Sequence, residues 1–149
     1  YVPRWSHCDD NHAWVEVWCD GDWHYLGACE PEAVLDKGWF TNAASRAMMI
    51  GSRWYDRAMP DEKVIGKDGM NRIINHLGKY AKTRWITITV EDLDGTPAAG
   101  AKVRAEVMNY GEFSPIAIME ADKNGCISFE TGFGSLLICA VYDGAYGER

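Results

Sequence analysis

The sequence has no cluster of lysine and arginine, and its 149 residues carry a formal net charge of −7. A protein that binds nucleic-acid phosphates needs such clusters, so this partner class is excluded. Apolar runs of about 18 residues, which a membrane-spanning helix requires, are also absent. Internal repeats and low-complexity tracts are missing as well. The composition indicates one ordinary globular domain or two small ones.

No amino-terminal leader is visible, because the chain starts at Tyr1 with the residues YVPRW. This start predicts a cut or processed piece that begins in mid-domain. Cys-x-x-Cys pairs, which are typical of zinc knuckles, are absent, and the cysteines number five. An odd count leaves at least one thiol unpaired, so cysteine usage does not assign a redox compartment.

Residues 1–82 combine strand and helix patterns. Residues 13–19 have the period of a strand with two distinct faces, one with Ala13, Val15, Val17 and Cys19 and the other with Trp14, Glu16 and Trp18. Asp20-Gly21 is a strong two-residue hairpin signal before a return strand at 23–26. Helices are predicted at residues 41–50 and 70–77, with a helical turn at 32–37. This half is therefore predicted to be α+β.

From Arg84 the pattern changes to evenly spaced short strands that are separated by turns rich in glycine, aspartate and asparagine. This pattern predicts a small antiparallel β-sandwich of five strands. The strands are WITITV, AKVRAEV, SPIAIMEAD, CISFET and SLLICAVYD. The predicted domains are residues 1–82 and 83–149, with the boundary near 81–84.

The Asp20-Gly21 turn determines which side chains of the predicted hairpin face each other. Trp18 faces Trp23 as a stabilising cross-strand pair, and His24 faces Val17 and is interpreted as packing. The open end of the hairpin has one side lined by His12, Trp14, Gly27 and Cys29. An imidazole there can act as a general base for a thiol on a neighbouring element, or it can cap the strand by bonding to backbone.

The motif HAWVEVW, followed after the turn by a tryptophan and CEP, resembles the transglutaminase-like superfamily of bacterial transglutaminase-like proteins and peptide N-glycanases. The resemblance covers roughly residues 1–55 and implies a partial papain-like α+β core. It assigns His12 as the catalytic histidine, and the nearby Glu30 is the candidate for the acidic residue. It also implies a nucleophilic cysteine on a helix in a missing amino-terminal part of the same protein. Trp14 either walls a substrate cleft or belongs to the core.

Two alternatives concern the rest of this site. Gly27 stands at the position where the family has an acid. If the strand ends at Gly27, Glu30 can turn toward His12 and act as the acid. Alternatively, Asp9 or Asp10 can reach the imidazole from the preceding loop. Cys29 or Cys8 could be the nucleophile, but a thiol at a strand end lacks the helix dipole that stabilises a thiolate.

No cofactor and no metal are expected. The dense set His7, Cys8, Asp9 and Asp10 resembles a ligand cluster, but adjacent residues rarely all point at one ion. His76 lies in a weakly predicted helix and carries no functional signal.

The second half has the pattern Asp-x-x-Gly-x-Pro-x-x-Gly-Ala-x-Val and resembles the carboxypeptidase-regulatory-like, Ig-like and prealbumin-like sandwiches. The resemblance implies a spacer or adhesive module of a periplasmic, cell-surface or secreted bacterial protein. If Gly132-Phe133 is a hairpin tip, Cys126 faces Cys139 as a disulfide or as two packed thiols; a three-residue loop would shift this pairing.

Together these features predict a fragment of a transglutaminase-like protein. Its predicted chemistry is cysteine-dependent amide hydrolysis or acyl transfer on a peptide or glycopeptide. The first alternative is a non-catalytic surface module that binds peptide or glycan through a degenerate site. The second is a structural spacer in a surface protein.

Overall fold

The computed structural model of the protein describes residues 2–5, 14–26, 33–37, 47–51, 64–68, 71–109 and 111–148. These residues contain twelve β-strands, one short 3₁₀ helix at Leu77–Lys79 and no α-helix. The strands are β1 (Val2–Trp5), β2 (Val15–Cys19), β3 (Asp22–Leu26), β4 (Ala47–Gly51), β5 (Val64–Asp68), β6 (Asn71–Ile74), β7 (Arg84–Thr89), β8 (Lys102–Asn109), β9 (Glu112–Glu120), β10 (Cys126–Thr131), β11 (Leu136–Tyr142) and β12 (Ala145–Glu148).

The predicted α+β class with a papain-like core is wrong, because the described part of the chain is built from β-strands. Where a helix was predicted over residues 41–50, β4 pairs antiparallel with β1. Helix propensities of ordinary residues differ by less than about 1 kcal/mol, so tertiary burial can override them. Met48 and Met49 of β4 are fully buried, and this burial outweighs the helix preference of the segment.

The other two helix predictions are also wrong. Residues 71–74, inside the helix predicted at 70–77, form β6 and pair with β5, which itself lies in a segment predicted as loop. Ile73 and Ile74 are β-branched, and such side chains fit a strand better than a helix. Residues 33–36 form a bend and a turn instead of a helical turn.

Six strands form the largest sheet, in the order β12-β11-β8-β9-β5-β6. In β8 the side chains of Val103, Ala105 and Val107 alternate onto the buried face. The register between β8 and β9 shifts after Ala105, where Glu106 faces Pro115. This irregularity explains why a proline is tolerated inside the sheet, because the ladder is locally interrupted there.

β7 and β10 form a second antiparallel pair that packs on the large sheet. Ile127 faces Ile88 and Phe129 faces Ile86, and residues that face each other share one side of a sheet. These side chains join a single hydrophobic cluster with the inner residues of β8, β9 and β11. The five strands predicted for the second half are therefore confirmed as β7 to β11, and β12 was not predicted.

Cys126 and Cys139 do not face each other, so the pairing expected if Gly132-Phe133 were a hairpin tip does not form. Cys126 faces Thr89 of β7, Cys139 faces Arg104 of β8, and both thiols are free. Residues 132–135 carry the chain from one sheet to the other instead of closing a hairpin. A short glycine-containing link is compatible with either connection, so the local sequence could not separate them.

Strands from both sides of the predicted domain boundary meet in one sheet. β5 pairs with β9 at Lys67 and Ile118. Met48 and Met49 belong to the same hydrophobic cluster as Phe129. The division into residues 1–82 and 83–149 stays a prediction, and the two parts share a core.

Candidate functional site

Two of the predicted site residues, His12 and Glu30, lie outside the described residues. The third, Trp14, is 6% exposed. Its indole Nε1 donates a hydrogen bond to the Tyr80 hydroxyl at 3.2 Å, and the two rings meet edge-on with centroids 5.7 Å apart. The role of Trp14 as a cleft wall stays a prediction, while its ring packs within the fold. The other candidates of the sequence analysis also lie outside the described residues: His7, Cys8, Asp9, Asp10, Gly27 and Cys29.

The hairpin of β2 and β3 has the predicted register. Trp18 faces Trp23, and their rings meet edge-on with centroids 5.4 Å apart. Asp20 and Gly21 have φ angles of 52° and 84°, the left-handed conformation that a two-residue Asp-Gly turn requires. A shift of one residue would exchange the two faces, so this register decides which side chains are buried.

One face of the hairpin is buried and carries Trp14, Glu16 and Tyr25. Glu16 faces Tyr25 across the strands, and Trp14 lies two residues before Glu16, on the same side. The rings of Trp14 and Tyr25 are 6.4 Å apart. The alternation predicted from the sequence assigns His12 to this same side.

A chain of hydrogen bonds, which we call the hairpin network, joins Trp14, Glu16, His76 and Tyr80. Oε2 of Glu16 lies 2.8 Å from Nδ1 of His76, and the Tyr80 hydroxyl donates to Oε1 of Glu16. Glu16 and His76 are each 8% exposed. A buried carboxylate is strongly destabilising unless its oxygens are hydrogen-bonded, and both oxygens of Glu16 have such a partner.

The 3₁₀ helix places the second half of this network. His76 precedes it and Tyr80 follows it, and the fully buried Leu77 fixes it against the interior. The Lys79 ammonium group also donates to the carbonyl of Trp23 at 2.5 Å. The segment is therefore held on the hairpin by apolar burial and by polar contacts at two places.

The electrostatics of the network keep the Tyr80 phenol protonated. Burial raises the pKa of Tyr80, and the neighbouring Glu16 carboxylate raises this pKa further. Tyr80 is therefore a permanent hydrogen-bond donor that orients Glu16. The Glu16 carboxylate in turn contacts the imidazole of His76. The network can therefore hold these side chains in position, while the Tyr80 phenol keeps its proton.

The sequence analysis missed His76 and Tyr80. The available signal was Glu16, which alternates onto the same side as Trp14 and so requires polar partners once that side is buried. The sequence near Glu16 could not identify those partners, because Glu16 and His76 are separated by 60 positions.

On the hairpin, His24 faces Val17 as predicted, but its side chain also makes an ion pair that was not predicted. Nδ1 of His24 lies 2.6 Å from Oδ2 of Asp36, whose Oδ1 accepts the Tyr25 N–H at 2.8 Å. The hydrogen bond to Asp36 raises the pKa of His24, against a smaller opposing effect of desolvation. This contact fastens residues 33–37 to β3.

We expect Asp36→Asn to lower the pKa of His24 toward its ordinary value of 6.5. A histidine whose pKa is raised by folding stabilises the fold below about pH 6.5, and this contribution is lost as the pH rises through the pKa of the folded state. The measurement is an NMR titration of the His24 ring. Asp20→Asn, an exposed acid in the turn of the same hairpin, is the control and should leave that pKa almost unchanged. An unshifted pKa in Asp36→Asn would contradict the ion pair.

In the described ranges, no three histidine, cysteine or acidic side chains converge as a metal site. No helix within those ranges is long and apolar enough to cross a membrane. No protein-family profile matches the sequence, and no curated protein sequence matches it significantly. Function therefore has to be inferred from the residues themselves.

Proposed function

We propose that the protein carries the histidine part of a cysteine-dependent site that hydrolyses amides or transfers acyl groups on peptides or glycopeptides. The observation that supports this proposal is the hairpin register, which is the one predicted from the Asp20-Gly21 turn. The motif residues Trp14 and Glu16 share the buried side to which the sequence assigns His12. The resemblance of this motif to the transglutaminase-like superfamily supplies the chemistry.

In this reaction a cysteine thiolate from outside these 149 residues attacks the carbonyl carbon of the amide. The C–N bond breaks, and protonated His12 gives its proton to the departing amine. Water or a second amine then resolves the thioester, with His12 taking a proton from the attacking group. Glu30 accepts the N–H on the far side of the imidazole and so keeps the ring oriented.

The hairpin network gives this proposal its structural support. A general base is effective when it is held close to the reacting atoms, since small displacements lower the rate steeply. Trp14 and Glu16, the motif residues that follow His12, are fixed by Tyr80 and His76. Their role is to position the strand that carries the histidine.

The test uses a longer chain that includes the segment encoded before Tyr1, with a fluorogenic peptide amide as substrate. His12→Ala should lower kcat by at least about 100-fold, the usual contribution of a general base, without changing the thermal unfolding midpoint. His24→Ala, on the same hairpin, is the control and should retain activity. Unchanged turnover in His12→Ala would remove this residue from the mechanism.

A second candidate function is binding of peptide or glycan without cleavage. It is favoured by Gly27, which provides no carboxylate at the position where the family has one. The test is peptide binding by the longer chain that contains the nucleophile. If the wild type and His12→Ala bind the peptide equally well and neither cleaves it, the function is binding.

A further inference from the structure

A cleft of about 470 Å³ lies between the segment that follows β7 and the β11–β12 hairpin. Residues 90–94 line one side, and residues 140, 142, 143 and 145–147 line the other. Leu93 in the first wall is fully exposed, and Tyr146 is 59% exposed. The cleft is therefore open and partly apolar, and none of its lining residues belongs to the hairpin network.

The cleft runs beside an open strand edge. β12 pairs with β11 on one side, and no described strand pairs with it on the other. Tyr142 faces Ala145 across the two-residue turn, and in such a turn this pair exchanges both ladder hydrogen bonds. Since the pattern alternates, the N–H and C=O groups of Tyr146 and Glu148 point away from β11. They can bond to a further strand.

The lining of the cleft is acidic. Four carboxylates line it, and no lysine or arginine does. The four are Glu91, Asp92, Asp94 and Asp143. None of them forms an ion pair with a cationic side chain in the described part of the chain. An occupant that brings positive charge would therefore be electrostatically complementary.

A second copy of the chain suits this edge poorly. Pairing of two β12 strands would bring two sets of these carboxylates together, in a protein of net charge −7. Like charges that face each other across strands are destabilising. The edge and the charge together favour a cationic partner over self-association.

We propose that β12 and this cleft bind an extended polypeptide segment with lysine or arginine at alternate positions, which adds to the sheet as an edge strand. In an extended chain, alternate side chains lie about 7 Å apart on one side, so one row of cations faces the carboxylates. The backbone groups of Tyr146 and Glu148 supply the ladder hydrogen bonds, as in other peptide complexes formed by strand addition. This interaction is separate from the function proposed for the hairpin.

The experiment titrates the full 149-residue chain with a capped heptapeptide of alternating lysine and valine. Two comparison peptides replace lysine by glutamate, or N-methylate every second amide so that the backbone cannot form a ladder. Calorimetry should give a Kd for the lysine peptide at least about tenfold below that of either comparison peptide. The amide NMR signals of Tyr146 and Glu148 should shift with the lysine peptide.

A pair of charge variants tests the cleft itself. Glu91→Gln with Asp143→Asn should weaken binding of the lysine peptide by about five- to tenfold at low salt, because two cation–carboxylate pairs are lost. The matched control is Glu112→Gln with Asp20→Asn, which removes the same charge. Asp20 and Asp143 occupy equivalent turn positions, with φ angles of 52° and 46°. The control should bind like the wild type.

Three results would overturn the proposal. The first is equal affinity for the lysine and glutamate peptides. The second is an equal loss of affinity in both double variants, which would show that the peptide responds to the net charge of the protein and not to the cleft. The third is a dimer in sedimentation whose NMR contacts lie on β12 and which excludes the peptide, because the edge would then belong to a second copy.

Discussion

Phe129→Ala is expected to lower the free energy of unfolding by about 3–5 kcal/mol, the range for removing a large side chain from a packed core. Phe129 is 1% exposed and is the largest of the fully buried side chains among the described residues. It belongs to the hydrophobic cluster that residues of both sheets form with Met48 and Met49, so its removal leaves a cavity in a packed core. Urea unfolding followed by tryptophan fluorescence measures the loss.

Phe133→Ala is the matched control for this prediction. Phe133 lies four residues later and is 66% exposed, with the Arg84 guanidinium 5.7 Å from its ring centroid. The expected loss is below about 1 kcal/mol, the contribution of an exposed cation–π contact. Equal losses for the two phenylalanines would show that Phe129 is not a core residue.

The second large effect is expected at Gly132, where alanine should destabilise the fold by about 2–4 kcal/mol. A Cβ atom on Gly132 would lie 2.2 Å from the carbonyl oxygen of Ala47. The contact is with backbone, so the strands themselves must move apart to relieve it. The Gly132 N–H donates to the Met48 carbonyl at 3.1 Å, and that movement would lengthen this hydrogen bond.

Gly147→Ala is the control, because a Cβ atom there meets nothing within 4 Å. Both glycines have ordinary φ angles, so the comparison isolates the close approach of two backbone segments from conformational strain. The expected change at Gly147 is within about 0.5 kcal/mol, as for other exposed sites. If Gly132→Ala were equally well tolerated, β4 would not lie against the end of β10.

Sequence reasoning succeeded where local signals and tertiary structure agree. The Asp20-Gly21 turn fixed the hairpin register, because its left-handed residues and the flanking alternation favour the same pairing. The five strands β7 to β11 were found for a similar reason, since β-branched residues alternate between turns rich in glycine and aspartate. In both places the short-range pattern carries most of the information.

Prediction failed where distant contacts decide the structure. The segment around Met48 and Met49 has residues that favour a helix, but burial in the hydrophobic cluster that also contains Phe129 makes it a strand. The pairing of β5 with β9 joins Lys67 to Ile118, which are far apart in the chain, and no local sequence pattern predicts it. The candidate site shows the same division, since alternation grouped Glu16 with Trp14 while its partner His76 was not foreseen.

The position of β5 and β6 beside β9 also affects how this protein can be cut. A piece that began near residue 83 would lose both strands and the buried Met48 and Met49. The edge of β9 that pairs with β5 at Ile118 would then lack its neighbouring strand. Open strand edges can template intermolecular ladders, so we expect such a piece to aggregate more readily than the 149-residue chain.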